Sequence, residues 1–243
     1  MTAQRSDRVT LALADAGEAA DLAAFLGRLI HYDRAAAVRL QAGGGALAVF
    51  GRPPSFEVLA IRTARLAVPA SLDVAVSLDV TVSAGQLLED IDESAGTAAV
   101  PEAVTGPPWA GVLPPRGGWR QVPGLPSYEA VRGAVAAAVA EFRARDEALA
   151  PEARTREERD RIGRDIWSRT LGDTGLPLRA VHAAQALGFL RPVPVAARAS
   201  GAGSAVGADL TLLAAGAWLR LRTPYGSIVV RGAGLGALSV APV

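Results

Sequence analysis

From Ser71 to Ser83 the chain alternates without interruption. Leu72, Val74, Val76, Leu78, Val80 and Val82 occupy every second position, and Ser, Asp, Ala and Thr fill the places between them. Side chains on a strand point to opposite faces with a period of two, so the run predicts a strand with one apolar side and one wet side. Strands of a parallel sheet are buried on both faces and read as continuous apolar runs, so this one belongs in an antiparallel sheet with a single face on the core. All six apolar residues are expected on the buried side.

The remaining periodicities fit around that strand. Val9, Leu11 and Leu13 mark a short strand, and Asp15 and Glu18 have capping-box spacing ahead of a helix. Leu22, Phe25, Leu26, Leu29 and Ile30 recur at helical intervals and would form its buried stripe. Val38 to Gln41 and Ala46 to Phe50 read as strands about Gly43-Gly44-Gly45, and Phe56 to Val68 as another. Ser83 is placed to cap a short helix reaching Ile91.

Further on, Ser127 caps a long helix, about 128–149, with Val131, Val135, Ala138, Val139 and Phe142 inward. Pro151 ends it. A second helix, dense in charge, covers 152–171, and a third runs from Pro177 to about Gly188. Strands are expected at 193–198 and 210–213. A hairpin joins 218–222 to 228–231 through Thr223-Pro224-Tyr225-Gly226. Strands with one helix, then helices, then strands predict an α+β fold: largely antiparallel sheets packed against helices.

Between these halves the composition changes. Seven of the 16 prolines lie between Pro101 and Pro126, with Trp109 and Trp119 among them. Proline lacks the N–H that helix and central strand require, so 93–126 is expected to be an extended arm with the two indoles as anchors. The expected division is a β-rich part at 1–92, the arm at 93–126, and helices followed by strands at 127–243, with a single domain formed by the outer two as the alternative.

Composition excludes several chemistries. Half the residues are hydrophobic and 20% are charged, which suits a folded chain. There is no Cys, and all 25 Lys+Arg residues are Arg. That removes disulfides, thiolate nucleophiles, Cys-ligated metals, Schiff-base lysines and P-loop lysines. The Ala/Gly/Arg/Val bias, without Lys or Asn, points to a GC-rich bacterial genome. No signal peptide and no apolar run of ~18 residues is evident, so a cytoplasmic protein without a membrane span is expected. Net charge is +1, yet residues 1–115 hold 8 Arg and 13 acids, and residues 116–243 hold 17 Arg and 11 acids. The halves are therefore −5 and +6, and could attract each other or other copies of the chain.

Each candidate site competes with a plainer reading. Gly232-Ala-Gly234-Leu-Gly236 lacks the following helix that a dinucleotide loop needs, and Gly201-Ala-Gly203-Ser204 through Gly207 lacks nucleophile-elbow and Walker spacing. Glu89, Asp90, Asp92 and Glu93 form an acidic cluster without the order of a calcium loop, and read as a solvated helix end. His31 and His182 are the only histidines. A metal-assisted or hydrolase-like enzyme would use His182 as its base together with the 89–93 carboxylates. No cofactor or metal site is expected.

Residues 160–231 combine a helix, a turn at 172–177, a helix ending in Leu187-Gly188-Phe189-Leu190 and an arginine-bearing hairpin. This arrangement resembles a winged-helix DNA-binding module. The resemblance implies Arg179, Arg220, Arg222 and Arg231 as nucleic-acid contacts. It departs from the pattern in offering only Arg179, His182 and Gln185 as polar residues on the would-be recognition helix.

With no catalytic constellation in view, the leading expectation is a non-enzymatic structural, adaptor or regulatory protein that engages a protein partner. A homodimer is expected, with Trp109 and Trp119 as interface candidates, since Trp is enriched at interface hot spots. A nucleic-acid-binding regulator is the alternative.

Overall fold

The computed structural model describes residues 8–67, 78–192 and 210–232. The chain divides into two compact units, one of Met1–Ser55 with Leu59–Leu113 and one of Phe56–Val58 with Pro114–Val243. Both combine helices with antiparallel sheet, so the protein is α+β.

In the first unit, β1 (Thr10–Ala12) leads into α1 (Ala16–Tyr32), β2 (Ala37–Gly43), β3 (Ala46–Gly51), β4 (Leu59–Arg65), β5 (Leu78–Ser83) and α2 (Ala84–Glu89), then β6 (Ile91–Asp92) and β7 (Thr97–Ala99). Four strands lie in the order β5-β2-β3-β4, and a small sheet has the order β1-β7-β6. Gly44 and Gly45 form the two-residue turn between β2 and β3, both at positive φ (59° and 77°), a conformation that costs other residues a Cβ clash. The carboxylate of Asp15 accepts from the Glu18 N–H at 2.9 Å, which starts α1. The Glu18 side chain does not close the capping box; it turns to Arg62 and Arg65 on β4.

The register puts Val38, Leu40, Leu47, Val49 and Val82 on one buried face. Leu22, Phe25, Leu26 and Leu29 of α1 are likewise buried, and a Cβ on Gly51 would lie 2.5 Å from the Leu29 side chain. Of the alternating run, Val82 is buried and Leu78 and Val80 are half-buried. Leu72, Val74 and Val76 lie outside the described residues, as do the glycine loop at 201–207, the strand expected at 193–198, and Gly234 and Gly236. The strand expected from Phe56 begins later, at Leu59, because Pro54–Phe56 forms a 3-10 turn and Glu57 takes a positive φ of 51°.

In the second unit, β8 (Arg120–Gln121) precedes α3 (Tyr128–Glu147), α4 (Arg156–Ser168), α5 (Leu178–Ala186), β9 (Thr211–Ala215), β10 (Trp218–Thr223) and β11 (Gly226–Arg231). The helix expected at 152 starts instead at Arg156. Pro151–Ala153 makes a separate 3-10 turn, and the Thr155 hydroxyl accepts the Glu158 N–H at 3.2 Å. β8, β9, β10 and β11 lie side by side and antiparallel, with Thr223 and Gly226 closing the hairpin about Pro224 and Tyr225. Leu212, Leu221 and Ile228 share one buried face by register. Phe189, just past α5, packs on Gly226 so closely that a Cβ there would lie 2.6 Å from its ring.

The proline-rich segment is less uniform than the sequence suggests. It contains β7, a 3-10 turn at Pro108–Gly111, and β8. Its first part lies along the first unit: the Val104 N–H donates to Thr81, and the Arg39 guanidinium donates to the Ala110 carbonyl. Its second part supplies β8 to the edge of the second unit's sheet, a position that proline neighbours tolerate.

Candidate functional site

The second unit's sheet has two chemically different faces. The face carrying Leu221 and Ile228 meets the helical layer, as the contact of Phe189 with Gly226 shows. The opposite face begins with Trp218, Arg220 and Arg222, at every second position of β10. Trp218 stands directly across from Arg231 on β11 and from Ala215 on β9. Arg220 stands across from Leu213, which in turn faces Gln121 of β8. Two cations lie against two rings: the Arg231 guanidinium is 5.5 Å from the Trp218 ring centre, and that of Arg220 is 5.7 Å from the ring of Trp119. The Trp119 ring is held from behind by its own N–H, which donates to the Pro115 carbonyl at 2.9 Å.

The electrostatics of this face are one-sided. Arg222 and Arg231 are exposed, whereas Arg220, Trp119 and Trp218 are half-buried. None of the three arginines has a carboxylate partner among the described residues. The Nε of Arg220 is buried and has no hydrogen-bond acceptor. Burial first, and the neighbouring Arg222 second, push the Arg220 guanidinium below its ordinary value, because both disfavour its charged form. Trp218 was not among the residues singled out from sequence. Its signal was present in the alternation Trp218, Arg220, Arg222 across the hairpin.

Other candidates are placed differently. Arg179, grouped with the three arginines from sequence, sits in the first turn of α5, and its Nε lies 3.8 Å from the Glu57 carboxylate. α5 itself is buried on most sides, Gln185 being its one exposed residue. A recognition helix must turn polar side chains to a groove, so this geometry departs from the winged-helix pattern. The basic residues in and around α4 are largely committed within the unit. Arg154 donates to the Leu149 and Glu147 carbonyls, Arg159 pairs with Asp146 at 2.7 Å, and Arg161 pairs with Glu158. Arg169 and Arg145 tie Glu141 to Asp165; Arg169 foremost holds the Glu141 carboxyl below its usual range, and Arg145 foremost that of Asp165.

His182 is packed between rings. It stacks on Trp167 with centres 4.3 Å apart and planes 18° off parallel, and Phe56 meets it edge-on at 5.1 Å. Burial pushes the imidazole below its ordinary value, favouring the neutral ring. His31 is exposed beside Tyr32 at the end of α1. The acidic cluster serves a turn: Asp92 accepts from the Ser94 and Ala95 N–H groups and from the Ser94 hydroxyl at 2.6 Å, which lowers its carboxyl, while Asp90 pairs with Arg8. Among the described residues no group of three or more His, Cys, Asp or Glu is placed to hold a metal ion, and no helix is long and apolar enough to cross a membrane.

A cleft of about 450 Å³ in the first unit is lined by residues that include Asp33, Arg52, Ser83, Thr105 and Trp109. Trp109 is half-buried at its wall, so both indoles of the proline-rich segment have surroundings in their own unit. This cleft had no signal in the sequence, because its lining comes from four separate stretches of chain.

Two family models match the chain. Residues 6–111 match a domain of unknown function, DUF8010, and residues 114–235 match a second one, DUF8185. No curated protein and no solved structure matches. The boundary between the two matches lies where the two compact units divide.

Proposed function

The chain belongs to the DUF8185 family, whose model spans just over half of it, and from that premise we propose that it is a non-enzymatic binding protein of adaptor or regulatory type, its working surface the Trp119–Trp218–arginine face of the second unit. One observation carries the reading. Every strand arginine of the first unit's four-stranded sheet has a carboxylate: Arg39 has Asp79, Arg62 has Glu18 and Asp21, and Arg65 has Glu18 and Asp15. Arg220, Arg222 and Arg231 have none among the described residues. Guanidiniums gathered on one face repel one another, and a negatively charged partner removes that cost on binding. The packing of His182 between Trp167 and Phe56 favours the non-enzymatic part, since a general base needs a ring nitrogen within hydrogen-bond reach of the proton it removes. Action in the cytoplasm and as a homodimer completes the proposal; the opposed charges of the two halves favour self-association.

Retention on immobilised heparin tests the working surface. The double variant Arg222→Glu, Arg231→Glu should elute at clearly lower salt than the parent. The variant Arg156→Glu, Arg164→Glu, with the same change in net charge on exposed α4 positions, should elute close to the parent. Equal shifts in both variants would show that net charge alone is read and would overturn the assignment of this face.

A further inference from the structure

Resting on that reading of the face, we propose that its partner is single-stranded nucleic acid, with bases stacked on Trp119 and Trp218 and phosphates against Arg222 and Arg231. A surface that recognised charge alone would need only the arginines. Here each of two indoles lies on the same side of the sheet as the cations, with a guanidinium within 6 Å of its ring. Trp119 directly precedes β8, whose Arg120 faces Ala214, and the next residue of β9, Ala215, is opposite Trp218. The two rings therefore rise from positions two strands apart, roughly 10 Å at the usual strand spacing, with only a methyl group between them. Both indoles are half-buried and keep part of their surface exposed, and every base has a π-face to offer them.

The strand state of the partner follows from the same geometry. In a duplex the base faces are covered by their neighbours, and sequence is read from the groove by an inserted helix or ribbon. The helix in the position to do so, α5, is buried, and β10 lies between two other strands. A single strand exposes its bases and follows a flat basic surface. The exposed pair Arg222 and Arg231 flanks the two rings, one toward each end of the hairpin. The buried Nε of Arg220, without an acceptor, lies beside Trp119 between them.

The experiment uses the full chain and a fluorescent oligo(dT) or oligo(U) of about 15 nucleotides, a length in the range that single-strand sites cover. Competitors are a duplex of equal length and polyglutamate. The single strands should bind at least tenfold tighter than either competitor, quench tryptophan fluorescence, and weaken steeply between about 50 and 200 mM salt. Trp119→Ala and Trp218→Ala should each lose fivefold or more, and Trp→Phe variants should recover most of the loss while keeping a stacking ring. Arg222→Ala should reduce the salt dependence by about one ion. If duplex or polyglutamate binds as tightly as oligo(dT), or the Trp→Phe variants lose as much as Trp→Ala, stacking is absent and this inference fails while the charged working face stands. If no polyanion binds, the inference and the reading beneath it fail together.

Discussion

The two units treat arginine on a β-strand in opposite ways. On β4, Arg62 is 6% exposed and lies 3.0 Å from Glu18 and 3.2 Å from Asp21, both projecting from α1. On β10, Arg220 is also largely removed from water, yet it meets an indole instead of a carboxylate. The difference lies in what packs above each strand. α1 begins with acidic residues at helical spacing, so its first turns deliver counter-charge to β4. The segment that reaches Arg220, residues 114–126, is proline-rich and has no acid, and it delivers a ring. Charge that is neutralised internally holds a structure together, whereas charge left without a partner is available to something else.

The sharpest way to break this comparison is to remove the charge from both settings. Arg62→Met leaves Glu18 and Asp21 with a hydrophobic neighbour in place of a cation, and should lower unfolding free energy in urea by about 3 kcal/mol. Arg222→Met, at an exposed site without a partner, should stay within about 0.5 kcal/mol. Equal losses would mean that the two arginines are structural in the same sense.

A second change converts one setting into the other. Leu213 is half-buried and directly opposite Arg220, so Leu213→Glu gives the second unit the counter-charge that Asp79 gives Arg39. The variant should keep its fold by circular dichroism and elute from heparin at distinctly lower salt than the parent. Undiminished retention would show that Arg220 has no part in the face.

The smallest effect concerns His182, whose ring serves packing in the second unit. Its folded-state value is depressed by burial, so between that value and the ordinary one near 6.5 the unfolded chain binds the extra proton. Stability should therefore fall as pH drops from about 7.5 to 5.5. His182→Phe keeps a ring against Trp167 and Phe56 and cannot titrate, so its stability should be flatter over that window. A parent whose melting temperature matches the variant's pH profile would remove the neutral-ring assignment.

Most elements are legible from spacing alone. The buried stripe of α1, the caps at Asp15, Ser83 and Ser127, the glycine turn after β2 and the β10–β11 hairpin depend on neighbours within a few residues. Local turns moved the starts of β4 and α4, and at Glu18 a distant group won over the local one. Glu18 leaves its capping role for Arg62 and Arg65, 44 and 47 residues away. Within α4, Arg161 pairs with Glu158 although Glu157 stands four residues before it, and Asp160 pairs with Arg156 although Arg164 stands four residues after it, because i,i+3 and i,i+4 partners compete within one turn.

By itself, then, the sequence determined periodicity, helix starts, turn positions and the absence of thiol and lysine chemistry, since each depends on residue type and short-range sterics. Only the tertiary structure decided which charges are neutralised. It set Arg62 under α1 and His182 between two rings. It also brought Trp119 to Arg220 across about a hundred residues of chain. Counter-charge and stacking act over a few ångströms in space, and the distance between two residues along the chain does not report that separation.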